Sequence, residues 1–205
     1  MDIEVKNSVK RVDYKESMKI LEKRVQAVLT GKKPEFLWIL EHNSIYTAGT
    51  NSKDNELLNK KLNVIKTNRG GKYTYHGPGQ KIVYFVLNLN NREKDIRKLI
   101  NKIENCIIQI LKEYNVESHS DSKNIGIWVN SENKNKKIAA IGVRVKRWIA
   151  YHGFSLNISN NLSSYNGIIP CGIKNIKITS LKELGIKDSK NINKVITKKF
   201  LNIFR

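Results

Sequence analysis

The chain has 205 residues and carries 38 lysines and arginines against 18 aspartates and glutamates, which gives a formal net charge of +20. This length suits one domain, and a domain of this size buries about 70% of the surface of its unfolded chain. The basic residues are spread through every segment and most aromatic residues lie in apolar runs, which argues against a nucleic-acid-binding face. The charge therefore indicates either an acidic partner or a compositional bias.

The cysteine content and the hydropathy of the chain indicate which classes of protein can be excluded. The two cysteines are too few for a disulfide framework, and no zinc-ligand spacing occurs, so we expect neither disulfides nor a bound metal. The segment Met1–Lys6 lacks the apolar stretch of a signal peptide, and no run approaches the ~20 apolar residues of a membrane span. We expect a cytoplasmic protein without a membrane-spanning segment.

The first half of the chain predicts one helix and several short strands. Apolar residues recur at steps of three and four from Tyr14 to Val28. This spacing predicts an amphipathic helix over about 13–29, with Asp13 as its cap and Gly31 as its stop. The segments that follow are a strand at 36–40, a second strand at 45–47 and an irregular polar loop with a helical turn at 51–61, after which Val64 and Ile65 lead into a glycine-rich stretch.

The second half contains the most regular helix of the sequence. A continuous apolar stripe from Ile96 to Tyr114 predicts a long helix packed on the core, and an apolar strand at 82–89 precedes it. Beyond this helix we predict three strands and two further helices. The strands lie at 125–129, 137–145 and 148–158, with 130–136 as the hairpin loop between the first two, and the helices lie at about 179–184 and 191–204.

These elements define a fold class. Helices and strands are mixed along the chain without regular βαβ alternation, so we predict an α+β protein with mixed sheets and packed helices. A doubly wound parallel sheet is the less favoured arrangement. No internal repeat or linker divides the sequence, and we predict a single domain over residues 1–205.

The segment Arg69–Gln80 is the first candidate for a binding site. It contains four glycines and one proline and leads directly into the apolar strand. Glycine lets backbone amides approach a ligand closely, because no Cβ stands in the way. Two tight turns would explain the glycines but would not require Thr74, His76 and Gln80 at these spacings. We therefore predict a binding loop at the edge of a rigid sheet.

The two cysteines lie in different contexts. Cys106 falls within the apolar helical stripe, which predicts a small buried side chain. Cys171 lies between Pro170 and Gly172, and such a turn can present a thiol to a cleft. A thiol becomes a nucleophile when a nearby base or cation lowers its pKa. The candidate partners are His76, His152 and Lys137, and the residue pattern does not separate a Cys–His from a Cys–Lys pair.

The glycine-rich segment and the Pro170–Gly172 turn belong to a set of motifs that occur in order along the chain. The others are Trp38–His42, Gly126–Val129, Lys137–Arg144 and His152–Asn157. Together they resemble the signature of the lipoyl(octanoyl) transferase family. The resemblance covers about 10–185, so the helix predicted at 191–204 lies outside it.

The resemblance implies a fold of the biotin/lipoate protein ligase type and an acyltransferase activity. Members of the family move an octanoyl (or lipoyl) group from octanoyl–acyl carrier protein to a lysine of a lipoyl domain, through a thioester on a cysteine. The implied acceptors are the lipoyl domains of 2-oxoacid dehydrogenase complexes and the glycine cleavage H protein. No cofactor and no nucleic acid are implied.

Matching the motifs residue by residue assigns roles in this chain. Cys171 would be the nucleophile, and Lys137 would lower the pKa of its thiol and shuttle protons. Ile169 and Ile173 depart from the asparagine and the aromatic residue that are common in the family, which affects the detail of the turn. The implied acyl-substrate pocket consists of Arg69, Gly70, Gly71, Lys72, Tyr73, Thr74, Tyr75, His76, Ala140, Ile141, Gly142, Gly153, Phe154 and Ser155.

The main alternative is an ATP-dependent lipoate or biotin protein ligase, which shares this fold and the glycine-rich segment. A ligase activates a free acid with ATP, so it needs a nucleotide site and no nucleophilic cysteine. The Pro170–Gly172 turn is the feature that distinguishes the two, and it favours the transferase. A basic nucleic-acid-binding protein is the alternative from another class.

Overall fold

Two sheets of unequal size form the framework of the chain, whose computed structural model describes residues 2–205. The large sheet has eight strands and the small sheet has three. Three α-helices complete the fold, which confirms the predicted α+β class. The strands are β1 (Ile3–Asn7), β2 (Glu35–Leu40), β3 (Ile45–Ala48), β4 (Val64–Lys66), β5 (Tyr73–His76), β6 (Gln80–Asn88), β7 (His119–Ser120), β8 (Ile127–Ser131), β9 (Lys134–Lys146), β10 (Ile149–Asn157) and β11 (Lys177–Ile178), and the helices are α1 (Tyr14–Leu29), α2 (Ile96–Lys112) and α3 (Ile192–Phe204).

The large sheet is mixed. Its strand order is β1-β2-β6-β10-β9-β8-β7, and β11 pairs with β9. The pairs β1–β2 and β9–β11 are parallel, whereas the other pairs are antiparallel. Strand β9 is long enough to pair with β8 along its first half and with β10 along its second half, so it connects the two ends of the sheet.

The central strands are buried on both faces, which explains their continuous apolar sequences. Side chains on one face of β2 and β6, such as Leu37 and Phe85, pack with α2 and α3. Side chains on the opposite face, such as Trp38 and Tyr84, pack with α1. Each fully buried side chain of this size stabilises the fold by about 1.5–3 kcal/mol relative to an exposed one. Cys106 lies in the α2 core with no exposed surface, as predicted, and burial raises the pKa of its thiol to about 12.

An aspartate caps each of the two long helices, and the cap at Asp13 was predicted. The Asp13 carboxylate accepts a hydrogen bond from the Glu16 amide at 3.0 Å, and the Asp95 carboxylate accepts one from the Lys98 amide at 3.0 Å. These side chains satisfy backbone donors that have no partner within the helix. Helix α1 ends just before Gly31, whose φ of +69° turns the chain away.

Three details differ from the sequence prediction. No α-helix forms at 179–184: the Thr179 amide donates to the Lys137 carbonyl, which keeps the backbone extended beside β9, and only isolated turns follow. The hairpin loop between β8 and β9 is two residues rather than 130–136, because Glu132 and Asn133 both adopt positive φ and the polar residues around them still pair. Four short strands, β1, β4, β7 and β11, were not predicted.

The small sheet has the order β4-β3-β5, and its strand β5 lies within the predicted binding loop. Part of the predicted binding loop is itself a strand, because Tyr73–His76 pairs with β3. The residues between β3 and β4 include a short 3-10 turn at Asp54–Glu56, as the sequence predicted. Among residues 2–205, no helix is both long enough and apolar enough to cross a membrane.

Candidate active site

A cavity of about 550 Å³ contains almost all of the side chains singled out in the sequence. Strands β9 and β10 line it, together with the glycine-rich segment, the first turn of α2 and the Cys171 turn. The predicted site residues that line it are Arg69, Gly70, Gly71, Lys72, Tyr73, Thr74, His76, Lys137, Ala140, Ile141, Gly142, Gly153, Phe154, Ser155 and Cys171.

Tyr75 is the predicted pocket residue that does not line the cavity. Its hydroxyl hydrogen-bonds to Ser44 Oγ at 2.9 Å, and its ring packs against Tyr46 and Tyr165 in a separate cluster. Neighbouring side chains of a strand point to opposite faces, so Tyr75 points away from Thr74 and His76. Tyr73 belongs to the same cluster as Tyr75, although it also borders the cavity at the start of β5.

Two glycines are required where the backbones of the cavity wall approach each other. A Cβ on Gly70 would lie 2.7 Å from the Val143 carbonyl oxygen. Gly153 has a φ of +157° and a Cβ there would overlap the Val83 carbonyl oxygen. Both glycines therefore bring backbone close to backbone, and they leave room for a ligand between the walls.

The Cys171 turn holds the thiol in an uncommon backbone conformation. Cys171 has φ +57° and ψ 11°, in the left-handed region, and Gly172 follows with φ +69°. A non-glycine residue in this region costs on the order of 1–3 kcal/mol, so the surrounding contacts must hold it there. One such contact is the Ile169 amide, which donates to the Glu56 carbonyl at 2.7 Å.

An ion pair lies directly against this turn. The Lys72 ammonium bonds to the Glu56 carboxylate, which is almost fully buried. A Cβ on Gly172 would overlap Lys72 and lie 2.7 Å from the Glu56 carboxylate. The second carboxylate oxygen of Glu56 accepts a hydrogen bond from the Lys53 amide at 3.1 Å. This pair, here called the turn clamp (Glu56 and Lys72), therefore packs on the backbone beside the thiol.

Lys137 is the side chain that the structure brings to the thiol. Its Nζ lies 3.3 Å from Cys171 Sγ and donates to the Ile125 carbonyl at 2.8 Å. The side chain is only 3% exposed, so Lys137 is almost fully buried. Gly126, with φ +137°, makes room for it, because a Cβ there would lie 2.8 Å from Nζ. The Trp128 ring lies 5.1 Å from Nζ, within the range of a cation–π contact.

The two histidines that were also candidates do not contact Cys171. His76 bonds to Gln80 Oε1 through Nδ1 at 2.7 Å, and His152 bonds to Asn68 Oδ1 through Nε2 at 2.7 Å. Burial lowers the pKa of each ring to about 3, so both are neutral near neutral pH. Of the two pairings that the sequence left open, the geometry favours Cys–Lys.

A buried arginine adds a second positive charge to the site. The Arg69 guanidinium donates to Thr47 Oγ1 and to the carbonyls of Thr47, Gly70 and Lys72 at 2.7–3.0 Å. All of these acceptors are neutral. Burial lowers the pKa of Arg69, but an arginine remains protonated in proteins. The resulting positive potential favours negative charge that develops in the cavity during a reaction.

Sequence reasoning missed the aromatic group at the cavity wall. Tyr14 and Tyr84 line the cavity, and the Tyr84 hydroxyl bonds to Nε2 of the buried His42 at 2.8 Å. His42 Nδ1 is bonded to the Val12 carbonyl at 2.7 Å, so Nδ1 carries the proton and Tyr84 donates to Nε2. The apolar periodicity of α1 and β6 concealed these residues, since it assigned their rings to the core.

The remaining wall of the cavity is apolar. Ile82, Ile100 and Ile141 line it, and Ile96 and Ile125 contribute from the surface, where their side chains are 47% and 51% exposed. Among residues 2–205, no group of three or more His, Cys, Asp and Glu side chains is placed to hold a metal ion. The arrangement suits a flexible apolar chain that ends at a reactive group beside Cys171.

Sequence comparisons agree with this arrangement. Residues 13–201 match the family described as the lipoyl protein ligase A/B catalytic domain. An octanoyltransferase of Anaplasma marginale (strain Florida) is 45% identical over 196 residues, which span 94% of this chain and 92% of the relative. An octanoyltransferase of Ehrlichia chaffeensis is 45% identical over 205 residues, which span 98% of this chain and 96% of the relative.

Structural comparisons concern the fold. One match is a chain in the structure of a bi-partite lipoate protein ligase and its E2 lipoyl domain from Thermoplasma acidophilum, with a TM-score of 0.73, 11% identity and coverage of 99% of this chain and 84% of that one. Another is lipoate-protein ligase A bound with ATP, with a TM-score of 0.73, 12% identity and coverage of 98% and 85%. The fold type and the family indicated by the motifs are confirmed, and the chain belongs to the lipoyl protein ligase A/B catalytic-domain family.

Proposed function

We propose that this chain is an octanoyltransferase of protein lipoylation. It moves an octanoyl (or lipoyl) group from octanoyl–acyl carrier protein to a lysine of a lipoyl domain. The acceptors are the lipoyl domains of 2-oxoacid dehydrogenase complexes and the glycine cleavage H protein. The observation that carries the proposal is the 3.3 Å contact between Cys171 Sγ and Lys137 Nζ in the wall of a largely apolar cavity. Relatives that are 45% identical bear the name octanoyltransferase, which supports it.

In the first step Cys171 is the nucleophile. Its thiolate, stabilised by the adjacent Lys137 ammonium, attacks the thioester carbonyl carbon of the donor. The bond to the donor sulfur breaks, and the departing thiolate takes a proton from Lys137. The products are an acyl group on Cys171, a neutral Lys137 amine and the free carrier thiol.

In the second step the acceptor lysine attacks the Cys171 thioester with its neutral amine. The C–S bond breaks as the amide bond forms, and the surplus proton of the attacking nitrogen passes to Lys137. The thiolate–ammonium pair is then restored. One lysine serves both steps. The first step leaves Lys137 neutral, so that it can accept a proton in the second step, and the second step restores the ammonium that the first step needs.

The cavity supplies the binding energy for the acyl chain. At ~0.8 kcal/mol for each buried CH₂ group, an eight-carbon chain could contribute about 5 kcal/mol. The small residues along β9 and β10, such as Ala140, Gly142 and Gly153, keep the walls open to it. We further propose that residues 1–205 act as a single domain in the cytoplasm, without a cofactor.

A lipoate or biotin ligase remains the second candidate because ligases share the fold. A ligase mechanism gives Cys171 no role, although the structure places its thiol on a strained turn next to a buried lysine. The similarity to solved ligases is 11–12% in sequence identity and concerns the fold alone. The named relatives and the cysteine therefore favour the transferase.

Intact-mass analysis tests the two candidates directly. The protein incubated with octanoyl–acyl carrier protein gains one octanoyl group, which hydroxylamine removes, and peptide mapping locates it on Cys171. The Cys106→Ala variant gains the same group, whereas Cys171→Ala does not. The variant Cys106→Ala loses about 1–2 kcal/mol of stability through a small cavity. An adduct on Cys106, or product formation only with free octanoate and ATP, would contradict the proposal.

A further inference from the structure

The hairpin between β9 and β10 carries an exposed tryptophan at a backbone position that disfavours it. The turn consists of Arg147 and Trp148, whose φ values are +49° and +62°. Two-residue turns with two positive φ values favour Asn-Gly, because bulky residues are strained in this region. The turn between β8 and β9 has the same form, but its second residue is Asn133. Strain that is kept at an exposed turn indicates a function for the side chains that cause it.

Trp148 is surrounded by cations that have no partner. It is 37% exposed, and the Lys94 ammonium lies 5.9 Å from the centre of its ring. The exposed cations of this region are Lys94, Arg97, Lys146 and Arg147. Among residues 2–205, none of these four forms an ion pair with a carboxylate. We call them and Trp148 the hairpin patch. An exposed tryptophan among unpaired cations suits the centre of an interface with an acidic protein surface.

The hairpin patch is continuous with the rim of the cavity. The Leu89 amide donates to the Trp148 carbonyl at 2.7 Å, which fixes the segment that leads into α2 against the hairpin. Helix α2 begins at Ile96, which lines the cavity and is 47% exposed. Lys94 precedes Ile96 by two residues, so their Cα atoms lie at most about 7 Å apart. A protein that covers Trp148 and Lys94 therefore also reaches the rim of the cavity.

We propose that the hairpin patch is the docking site of the acyl carrier protein that delivers the octanoyl group. This inference rests on the proposed function. The carrier presents acidic side chains to the four cations and an apolar side chain to Trp148. The position beside Ile96 favours the donor over a lipoyl domain, because an apolar rim suits the entry of an acyl chain and not of a charged lysine. No residue of the patch lines the cavity, so the patch binds the carrier without touching the reacting atoms.

The test compares two donors that contain the same thioester. Octanoyl–acyl carrier protein can contact the hairpin patch, whereas octanoyl-pantetheine is a small molecule and cannot. In the double variant with Arg147→Asn and Trp148→Gly, we expect the carrier concentration that half-saturates thioester formation on Cys171 to rise about 5-fold to 30-fold, the range for truncation of a central interface side chain. The maximal rate with the carrier and the rate with octanoyl-pantetheine stay at the wild-type values.

The same double variant separates binding from folding. Asparagine and glycine relieve the strain of the turn, so we expect thermal unfolding at a temperature no lower than that of the wild type. Weaker use of the carrier by a protein of undiminished stability supports docking. A lower unfolding temperature with an unchanged half-saturating carrier concentration would assign the two side chains to folding and overturn the inference.

A matched pair of variants on α2 tests the charges. Arg97→Glu changes the hairpin patch, whereas Lys112→Glu makes the same change of net charge about 22 Å away along the helix. Both residues are exposed. We expect Arg97→Glu to raise the half-saturating carrier concentration about 3-fold or more at low salt and less at about 300 mM salt. Lys112→Glu stays close to the wild type. Equal effects of the two variants would assign the loss to net charge and overturn the inference.

Two further measurements identify other occupants. A rise in the half-saturating concentration of the lipoyl domain alone, with no change for the carrier, would assign the patch to the acceptor. Sedimentation with vesicles of phosphatidylglycerol and phosphatidylcholine that is lost in the double variant, again with no change for the carrier, would assign it to a membrane surface. Either result overturns the inference and leaves the proposed function intact. Absence of a thioester on wild-type Cys171 with both donors contradicts the proposed function, and this inference with it.

Discussion

The two roles proposed for Lys137 can be separated by substitution. Arginine supplies a positive charge beside Cys171 but does not give up its proton at any working pH. We therefore expect Lys137→Arg to form some acyl-enzyme and to transfer the group to a lipoyl domain poorly, whereas Lys137→Ala is slow in both steps. Single-turnover formation and decay of the Cys171 thioester distinguishes these outcomes. Decay of the Lys137→Arg thioester at the wild-type rate would mean that the lysine acts only as a charge.

The buried histidines predict how stability depends on pH. The pKa of His76 and of His152 is about 3 in the folded protein, against an ordinary value near 6.5. Between these values the unfolded chain binds more protons, so the stabilisation is complete above about pH 6.5 and is lost as the pH falls toward 3. At about pH 5 each ring lowers the free energy of unfolding by about 2 kcal/mol relative to pH 7.

Urea unfolding of the wild type and of His152→Gln at both pH values measures this effect. Glutamine can donate the hydrogen bond to Asn68 but has no titrating ring, so the difference between the two pH values is smaller in the variant by about 2 kcal/mol. Groups other than His152 titrate in both proteins and cancel in the comparison. Equal pH dependence in the two proteins would show that His152 is not buried in its neutral form.

For single residues, the sequence predicted which cysteine is buried and which is presented, but it did not predict which side chain contacts Cys171. The helical stripe around Cys106 and the turn around Cys171 were enough to separate a core thiol from a presented one. The residue pattern alone could not identify Lys137 rather than a histidine as the neighbour of the Cys171 thiol, because that contact depends on how β9 and the Cys171 turn pack together. The position of Tyr75, by contrast, could have been predicted. A strand predicted within the glycine-rich segment would have placed Tyr75 on the face opposite to Thr74 and His76.

At the scale of elements, the turn clamp is the contact that holds the Cys171 turn against the small sheet. Glu56→Lys places two cations at Gly172, so we expect slower thioester formation and a loss of about 1–3 kcal/mol of stability, less than for a fully buried pair because Lys72 is 29% exposed. The reversed pair Glu56→Lys with Lys72→Glu restores attraction and recovers part of both. Rates of thioester formation and thermal unfolding of the single and double variants test this. No recovery in the double variant would assign the effect to packing rather than charge.

The elements that were predicted correctly are those that are determined by residues close together in the sequence. Helices α1 and α2 have an apolar stripe and a capping aspartate, and both agree with the sequence. The helix at 179–184 was wrong because the Thr179 amide is bound by the distant Lys137 carbonyl, which no local pattern shows. Strand β1 was missed for the same reason, since its pairing with β2 crosses the whole of α1.

At the scale of the whole molecule, the net charge of +20 has a kinetic consequence. If the basic surface attracts an acidic carrier protein, association is faster at low ionic strength. We expect the transfer rate at low carrier concentration to fall as salt is added, while the rate at saturating carrier changes little. Measuring both rates from about 20 mM to 300 mM salt distinguishes the two interpretations of the charge. A rate at low carrier concentration that is independent of salt would assign the charge to composition.

Lys137 and Cys171 are positioned by different sheets. Lys137 is part of β9 in the large sheet, whereas the Cys171 turn is held by the Glu56 carbonyl and the turn clamp next to the small sheet. The distance between Cys171 Sγ and Lys137 Nζ therefore depends on the relative position of the two sheets. If the small sheet loosens before the large one on heating or in denaturant, we expect turnover to be lost while the large sheet and its helices are still folded. The temperature limit of activity is then set by the three-stranded sheet, and substitutions that stabilise only the eight-stranded sheet would not raise it.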